Sequence, residues 1–261
     1  MKGHRPRKRF GQHFLADPHY LDRIARAIDP GPGDAIVEIG PGLGALTDRL
    51  IERVRPITAV EIDRDLAQAL RERYSRDALN LVEGDALDFD FASLGTDLRI
   101  VGNLPYNIST PILFRLADAA AHVRDIHVML QREVVDRIVA RPATPDYGRL
   151  TVMLAVRFEV ARLFAVPPGA FRPPPKVDSA VIRMRPLRDH APNVTDFALF
   201  SRIVTAAFSQ RRKTLRNAVA MHADEDSMRQ ANVDPGLRGE ALSVEAFVRL
   251  ANHVAANTGD A

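Results

Sequence analysis

The chain has 261 residues with 36 Lys and Arg against 33 Asp and Glu, no Cys, no Trp, 46% hydrophobic and 26% charged residues, which suits one large domain or a large one plus a small one. That composition excludes disorder over most of the chain, and without cysteine there is no disulfide framework, cysteine-ligated zinc or iron–sulfur centre, and no thiol nucleophile. The net charge of +3 divides unevenly: Lys2, Arg5, Arg7, Lys8 and Arg9 stand in residues 1–16 without an acid, Arg202, Arg211, Arg212, Lys213 and Arg216 stand in residues 197–223 without an acid, and the remainder carries −7. Two cationic segments on an acidic body suggest a polyanion held at defined places. No stretch approaches the roughly 18 consecutive apolar residues of a membrane span, and no apolar signal core follows the basic N-terminus, so a cytoplasmic protein without membrane contact is expected.

In chain order, residues 1–19 read as a basic arm. From about residue 20 to 187 short apolar runs alternate with longer amphipathic ones, the pattern of parallel strands joined by crossover helices. The predicted strands are Ala35–Ile39, Ile57–Ile62, Leu79–Glu83, Leu98–Gly102, Ile126–Gln131, Val160–Val166 and Ala180–Arg185. Several are nearly all apolar, as strands covered on both faces should be. Helices are predicted at Ala45–Arg53, Arg64–Tyr74, Pro111–Ala121 and Val134–Ala140. Beyond a loop-like stretch near residue 190 the strand-like runs stop. Residues 188–261 read as a small all-helical domain, with helices at Phe197–Ser209, around Arg211–Met221, and at Val244–Ala256.

The first predicted strand runs into Gly40-Pro41-Gly42-Leu43-Gly44 and then a helix. Its glycines allow a sharp turn and close approach of a ligand to the main chain. The spacing is not that of a dinucleotide fingerprint, and the Lys-Ser/Thr of a phosphate loop is missing. Glu38 beside the turn would repel a pyrophosphate, which favours a neutral or cationic ligand. Glu61 closes the second strand, 17 residues after Gly44, and Asp85 follows the third. In an open parallel sheet ligands bind at the carboxyl ends of the strands. A carboxylate at Glu61 is placed to accept from two ribose hydroxyls, and Asp85 from an adenine amine. Each acid alone also suits a helix cap; the three in register on successive strand ends resemble the S-adenosylmethionine site of a class I methyltransferase.

Gly102-Asn103-Leu104-Pro105-Tyr106-Asn107 closes the fourth predicted strand at the same crevice. Pro105 favours an extended Leu104, whose carbonyl can turn outward. The Asn103 side-chain oxygen and the Leu104 carbonyl then offer two acceptors to an exocyclic amine. Tyr106 supplies a flat face on which a base can stack. The string resembles the Asn/Asp-Pro-Pro-Tyr motif of methyltransferases that modify nucleobase amines.

Taken with Lys8–Leu15, Gly40–Gly44, Phe171–Ser179 and Gln210–Asn217, the motif makes the chain similar, from residue 8 to about 255, to the bacterial small-subunit ribosomal RNA adenine dimethyltransferases. The resemblance implies a class I, Rossmann-like fold with a seven-stranded, mostly parallel sheet. It implies transfer of four methyls from S-adenosylmethionine, leaving S-adenosylhomocysteine, to two adjacent adenines in the hairpin loop near the 3′ end of 16S rRNA in an immature small subunit. It implies cofactor contacts at His13, Leu15, Gly40, Glu61, Asp85 and Asn103, and, by analogy with family members, Phe171 across the flipped base from Tyr106. Many members have Asn where this chain has His13. A monomer without a metal is expected, with cations around Arg211–Lys213 neutralising RNA phosphates. Three rivals remain: a large-subunit (23S) rRNA adenine methyltransferase that confers antibiotic resistance, a DNA amine methyltransferase, and a non-catalytic ribosome-assembly factor. Phe171–Ser179 and Gln210–Asn217 argue against the first. About 70 helical residues leave little room for the DNA-reading domain of the second, and the intact acidic strand ends with Asn103 argue against the third.

Overall fold

The computed structural model of the protein describes residues 12–258. The basic run Lys2–Arg9 lies outside the described residues. The chain forms β1 (Phe14–Leu15), α1 (Pro18–Ile28), β2 (Ala35–Ile39), α2 (Ala45–Ile51), β3 (Ile57–Glu61), α3 (Arg64–Arg73), β4 (Leu79–Glu83), β5 (Leu98–Asn103), α4 (Ser109–Asp118), β6 (Val123–Gln131), α5 (Arg132–Ile138), α6 (Arg149–Ala155), β7 (Phe158–Val166), β8 (Phe171–Arg172) and β9 (Ser179–Pro186). Seven of these strands make one sheet in the order β4-β3-β2-β5-β6-β9-β7. From β4 to β6 the neighbours are parallel; β9 joins β6 antiparallel. The strand order reverses between β2 and β5, so the crevice opens at the carboxyl ends of those two strands.

All seven predicted strands form, with ends shifted by up to three residues. The sequence reading passes over α1, although its start is well marked. Asp17 caps it by accepting the His19 N–H at 2.9 Å, Pro18 takes the first turn, and Leu21, Ile24, Ala25 and Ile28 make one buried face. That face joins a core with Leu15, Ile36, Leu46, Val101, Met129, Phe171 and Val181. The chain is already ordered within the expected arm, where β1 pairs antiparallel with β8.

A charged cluster is buried beside this core. Arg99 on β5 is 7% exposed and pairs with Asp125 at 2.9 Å and Asp34 at 2.7 Å, while also donating to the carbonyls of Ile28 and Asp29 at the end of α1. It bolts α1 to the middle of the sheet.

The molecule divides into two compact units. The first holds residues up to 135 and 160–186; the second holds 136–159 and 187–261. Thus the segment containing α6 belongs with the C-terminal helices α7 (Phe197–Ser209), α8 (Leu215–Ala218), α9 (Glu225–Gln230) and α10 (Val244–Thr258), whereas the sequence reading joins it to the larger domain. Tyr147 explains the grouping: it is 1% exposed, stacks edge-on with Phe208 of α7 and donates to the Leu242 carbonyl at 2.8 Å. The helix expected around Arg211–Met221 shortens to α8, preceded by a turn at Arg211–Lys213. No helix among the described residues is long and apolar enough to cross a membrane.

Candidate active site

The carboxyl ends of β2, β3 and β5 and the turn after β4 surround one cavity of about 1150 Å³ including its open mouth. It is lined by His13, Leu15, Glu38, Gly40, Gly42, Glu61, Asp85, Asn103, Leu104, Pro105 and Tyr106, among others. The structure therefore gathers every predicted site residue except Phe171. No Arg or Lys is among the described lining residues, so the three carboxylates suit a cationic ligand.

Local structure explains why each group faces the cavity. Gly40 and Gly42 have φ of +65° and +59°, which L side chains rarely adopt. Their turn is held by Gly40 N–H donating to the Val60 carbonyl at 2.9 Å and Gly42 N–H donating to Glu61 Oε2 at 3.1 Å. Glu61 Oε1 accepts the Asp63 N–H at 2.9 Å. One carboxylate thus fixes both the glycine turn and the start of α3, and each oxygen keeps a lone pair for a ligand hydroxyl. Burial pushes its pKa up, against the backbone N–H bonds of Asp63, Gly42 and Ile62 that pull it down. Asp85 accepts the Leu87 N–H at 2.9 Å, so it caps a turn and lines the cavity together.

Glu38 is 2% exposed and accepts from Thr47 Oγ1 at 2.6 Å. Burial raises its pKa to about 7, with the Thr47 bond opposing and the Glu61 charge adding to the rise. Near neutral pH it is therefore only partly charged, and the repulsion argued from its position falls mainly to Glu61 and Asp85. Because the folded pKa exceeds the unfolded value of about 4.5, the folded state holds the proton more tightly. Stability from this group is full below about 4.5 and is lost as pH rises towards 7. In Glu38→Gln that part of the decline should vanish from denaturant melts taken between pH 4 and 8; an unaltered slope would refute the assignment.

Asn103 ends β5. Its Nδ2 donates to the His13 carbonyl at 2.8 Å, which commits the amide nitrogen and leaves Oδ1 as the acceptor. Leu104 N–H bonds to the Met129 carbonyl at 3.2 Å, and Ile108 N–H to the Pro105 carbonyl at 3.2 Å, closing the turn. A Cβ on Gly102 would stand 2.5 Å from the Ile39 carbonyl oxygen, so glycine is what lets β5 lie this close to β2 beneath the crevice. Tyr106 is half-buried, and burial raises its pKa. Its ring stacks on His13 with centroids 5.6 Å apart.

Phe171 corrects the sequence reading. It is 0% exposed, packs in the core with Leu15, Ile24 and Met129, and does not line the cavity. Its strand pairs with β1, setting Phe171 against Leu15 and turning the ring inward. The aromatic neighbour of Tyr106 is His13 instead. The sequence reading also missed Gln12, whose amide donates to Asp63 Oδ2 at 3.1 Å, as well as His127 and Met129 on β6. Gln12 lies inside the motif already singled out at residues 8–15; the other two sit in an apolar strand with no local mark of a site.

In the C-terminal unit Arg211, Arg212, Lys213 and Arg216 are exposed. Arg211 donates to the carbonyls of Pro145 and Tyr147, and Arg216 pairs with Glu225 at 3.3 Å, so these two cations also hold their own unit together.

The family model of ribosomal RNA adenine dimethylases matches residues 3–256. The chain is 58% identical to ribosomal RNA small subunit methyltransferase A of Aromatoleum aromaticum over 99% of this chain and 97% of that protein. It is 53% identical to the protein of that name from Chromobacterium violaceum, over 97% of each. Among solved structures, a dimethyladenosine transferase from Plasmodium falciparum superposes with a TM-score of 0.76 at 25% identity, covering 91% of this chain and 96% of that one. The 23S rRNA methyltransferase ErmE gives 0.68 at 28% identity, covering 93% and 99%.

Proposed function

The chain belongs to the ribosomal RNA adenine dimethylase family, and on that premise we propose that it transfers methyl groups from S-adenosylmethionine to the N6 amines of two adjacent adenosines in the 3′-terminal hairpin loop of 16S rRNA, four methyls in all. The substrate is an immature small ribosomal subunit, and the enzyme works as a cytoplasmic monomer with no metal. The observation that carries this reading is the shared cavity that Glu61, Asp85, Asn103 and Tyr106 all line.

When bound, S-adenosylmethionine supplies a methyl group activated by a sulfonium. Glu61 would accept from its ribose hydroxyls and Asp85 from its adenine amine, with Gly40 leaving its backbone bare for the ligand and His13 and Leu15 lining the same cavity. The target adenine leaves its stack to reach the pocket, at a cost of a few kcal/mol that is smaller in a loop than in a duplex. Tyr106 stacks on it. In the first transfer to each adenine Asn103 Oδ1 and the Leu104 carbonyl accept the two N6 hydrogens, which favours a pyramidal nitrogen; in the second, one of them accepts the single hydrogen that remains. Asn103 is neutral, so the proton leaves to solvent after transfer. Positioning and fixed dipoles carry most of the rate. Phe171 contributes from behind, packing under Leu15. The exposed Arg202, Arg212 and Lys213 neutralise RNA phosphates, with Arg211 and Arg216 adding charge from anchored positions.

Glu61→Ala removes both the ribose acceptor and the clamp on the glycine turn. Calorimetry with S-adenosylhomocysteine should show binding weakened by about 10- to 100-fold, on the basis of one or two hydrogen bonds to a charged group; unchanged affinity would place the ribose elsewhere. Substrate choice is tested by offering immature small subunits and naked 23S rRNA in parallel. Methylation of the former alone is expected, and preference for 23S rRNA would move the enzyme to the resistance class.

A further inference from the structure

Tyr106 is held at its hydroxyl end and over one face. The hydroxyl is hydrogen-bonded to Ser179 Oγ at 2.6 Å. Ser179 is 0% exposed and opens β9, in register with Gln131. The residue before it is fastened too: the Asp178 carbonyl accepts the Arg132 N–H at 2.9 Å, and its carboxylate pairs with the Arg132 guanidinium at 3.1 Å. On the ring face, His13 stacks with planes 25° apart. His13 is itself anchored, with Nδ1 2.9 Å from the Pro173 carbonyl oxygen and its own carbonyl accepting from Asn103 at 2.8 Å. The 5.6 Å between the two centroids leaves no room for a base, which needs about 3.5 Å to each ring, roughly 7 Å in all.

Resting on the reading of Tyr106 as the platform for the target base, we propose that residues 173–179 form a brace that presents Tyr106 with one open face. Ser179 is the positioning residue that sets the ring plane, and His13, seated on the Pro173 carbonyl, closes the other face. A ring already fixed does not have to be ordered when RNA arrives; removing its tether returns that cost to the binding step. The brace explains why a polar side chain is kept fully buried at the first position of β9, facing a tyrosine 73 residues away in sequence.

The test measures kcat and KM for immature small subunits, together with S-adenosylhomocysteine affinity by calorimetry, in Tyr106→Ala, Tyr106→Phe, Ser179→Ala and the Tyr106→Phe/Ser179→Ala double variant. Tyr106→Phe and Ser179→Ala should each raise KM for RNA about tenfold and leave cofactor-product affinity within about twofold. The double variant should be no worse than either single one, because both remove the same bond. Unchanged KM in both singles, or a double variant whose loss is the product of the two, overturns the brace. If Ser179→Ala melts below the assay temperature, Tyr106→Phe, which leaves β9 intact, decides: an unchanged KM overturns the proposal. Tyr106→Ala with unchanged KM for RNA overturns the platform reading itself, a different failure.

Discussion

Replacing Asn103 by alanine should lower methyl transfer by at least about 10²- to 10³-fold, the usual loss when one preorganised polar partner is removed from a reacting group. The side chain acts through both ends of its amide. Nδ2 is tied to the His13 carbonyl at 2.8 Å, and this bond fixes which end faces the substrate amine. Alanine removes the acceptor and also releases His13, the residue stacked on Tyr106. The cofactor should still bind measurably, because Glu61 at the end of β3 and Asp85 in the turn after β4 stand on other elements. Asn103→Asp separates the two functions: it keeps an acceptor but faces a carboxylate oxygen towards the His13 carbonyl, and it too should be severely impaired. Single-turnover assays with S-adenosylhomocysteine calorimetry on the same preparations check this. Substantial turnover in Asn103→Ala would remove the residue from the mechanism.

Arg99→Ala should be the most damaging change to stability, by about 3–5 kcal/mol, the range for breaking a buried ion pair from one side. It strips Asp125 of its guanidinium partner, leaves Asp34 with Arg124 alone as its cationic partner, both acids being about one-tenth exposed, and removes a donor from the carbonyls of Ile28 and Asp29. The melting midpoint should fall by about 10 °C. Acid titration gives an independent check. Burial would raise the Asp125 pKa, but the His127 ring nitrogen 3.5 Å away and the hydrogen bonds and charge of Arg99 outweigh it and hold it at about 2. Asp34 is also lowered: the Gly31 N–H and Arg99 and Arg124 overcome its burial. Both folded pKa values lie below the unfolded one, so this stabilisation is present above about 3.8 and is lost as pH falls towards 2. Wild type should lose stability steeply across that window and Arg99→Ala should not. Equal slopes would show that the pairs contribute nothing.

What was legible in the sequence is what is local. Buried parallel strands are nearly continuous apolar runs, so β2 to β5 could be read directly. The glycine turn and residues 102–107 carry their chemistry within a few positions. What was not legible depends on contacts between distant positions: His13 meets Pro173 and Asn103, and Tyr106 meets Ser179. Phe171 shows the limit. Analogy with family members sets it across the base from Tyr106, whereas pairing of β8 with a two-residue strand near the N-terminus turns it into the core. The helix α1 carries its capping Asp17, Pro18 and apolar period locally, next to a run of cations that marks residues 1–19 as an arm.

The central claim is the identity of the product. Purified protein incubated with methyl-labelled S-adenosylmethionine and unmethylated small subunits, followed by nuclease digestion and mass spectrometry of the 3′-terminal hairpin, should show N6,N6-dimethyladenosine at two adjacent positions and four labelled methyls per particle. Label at any other base, or none in the presence of bound cofactor, would contradict the account.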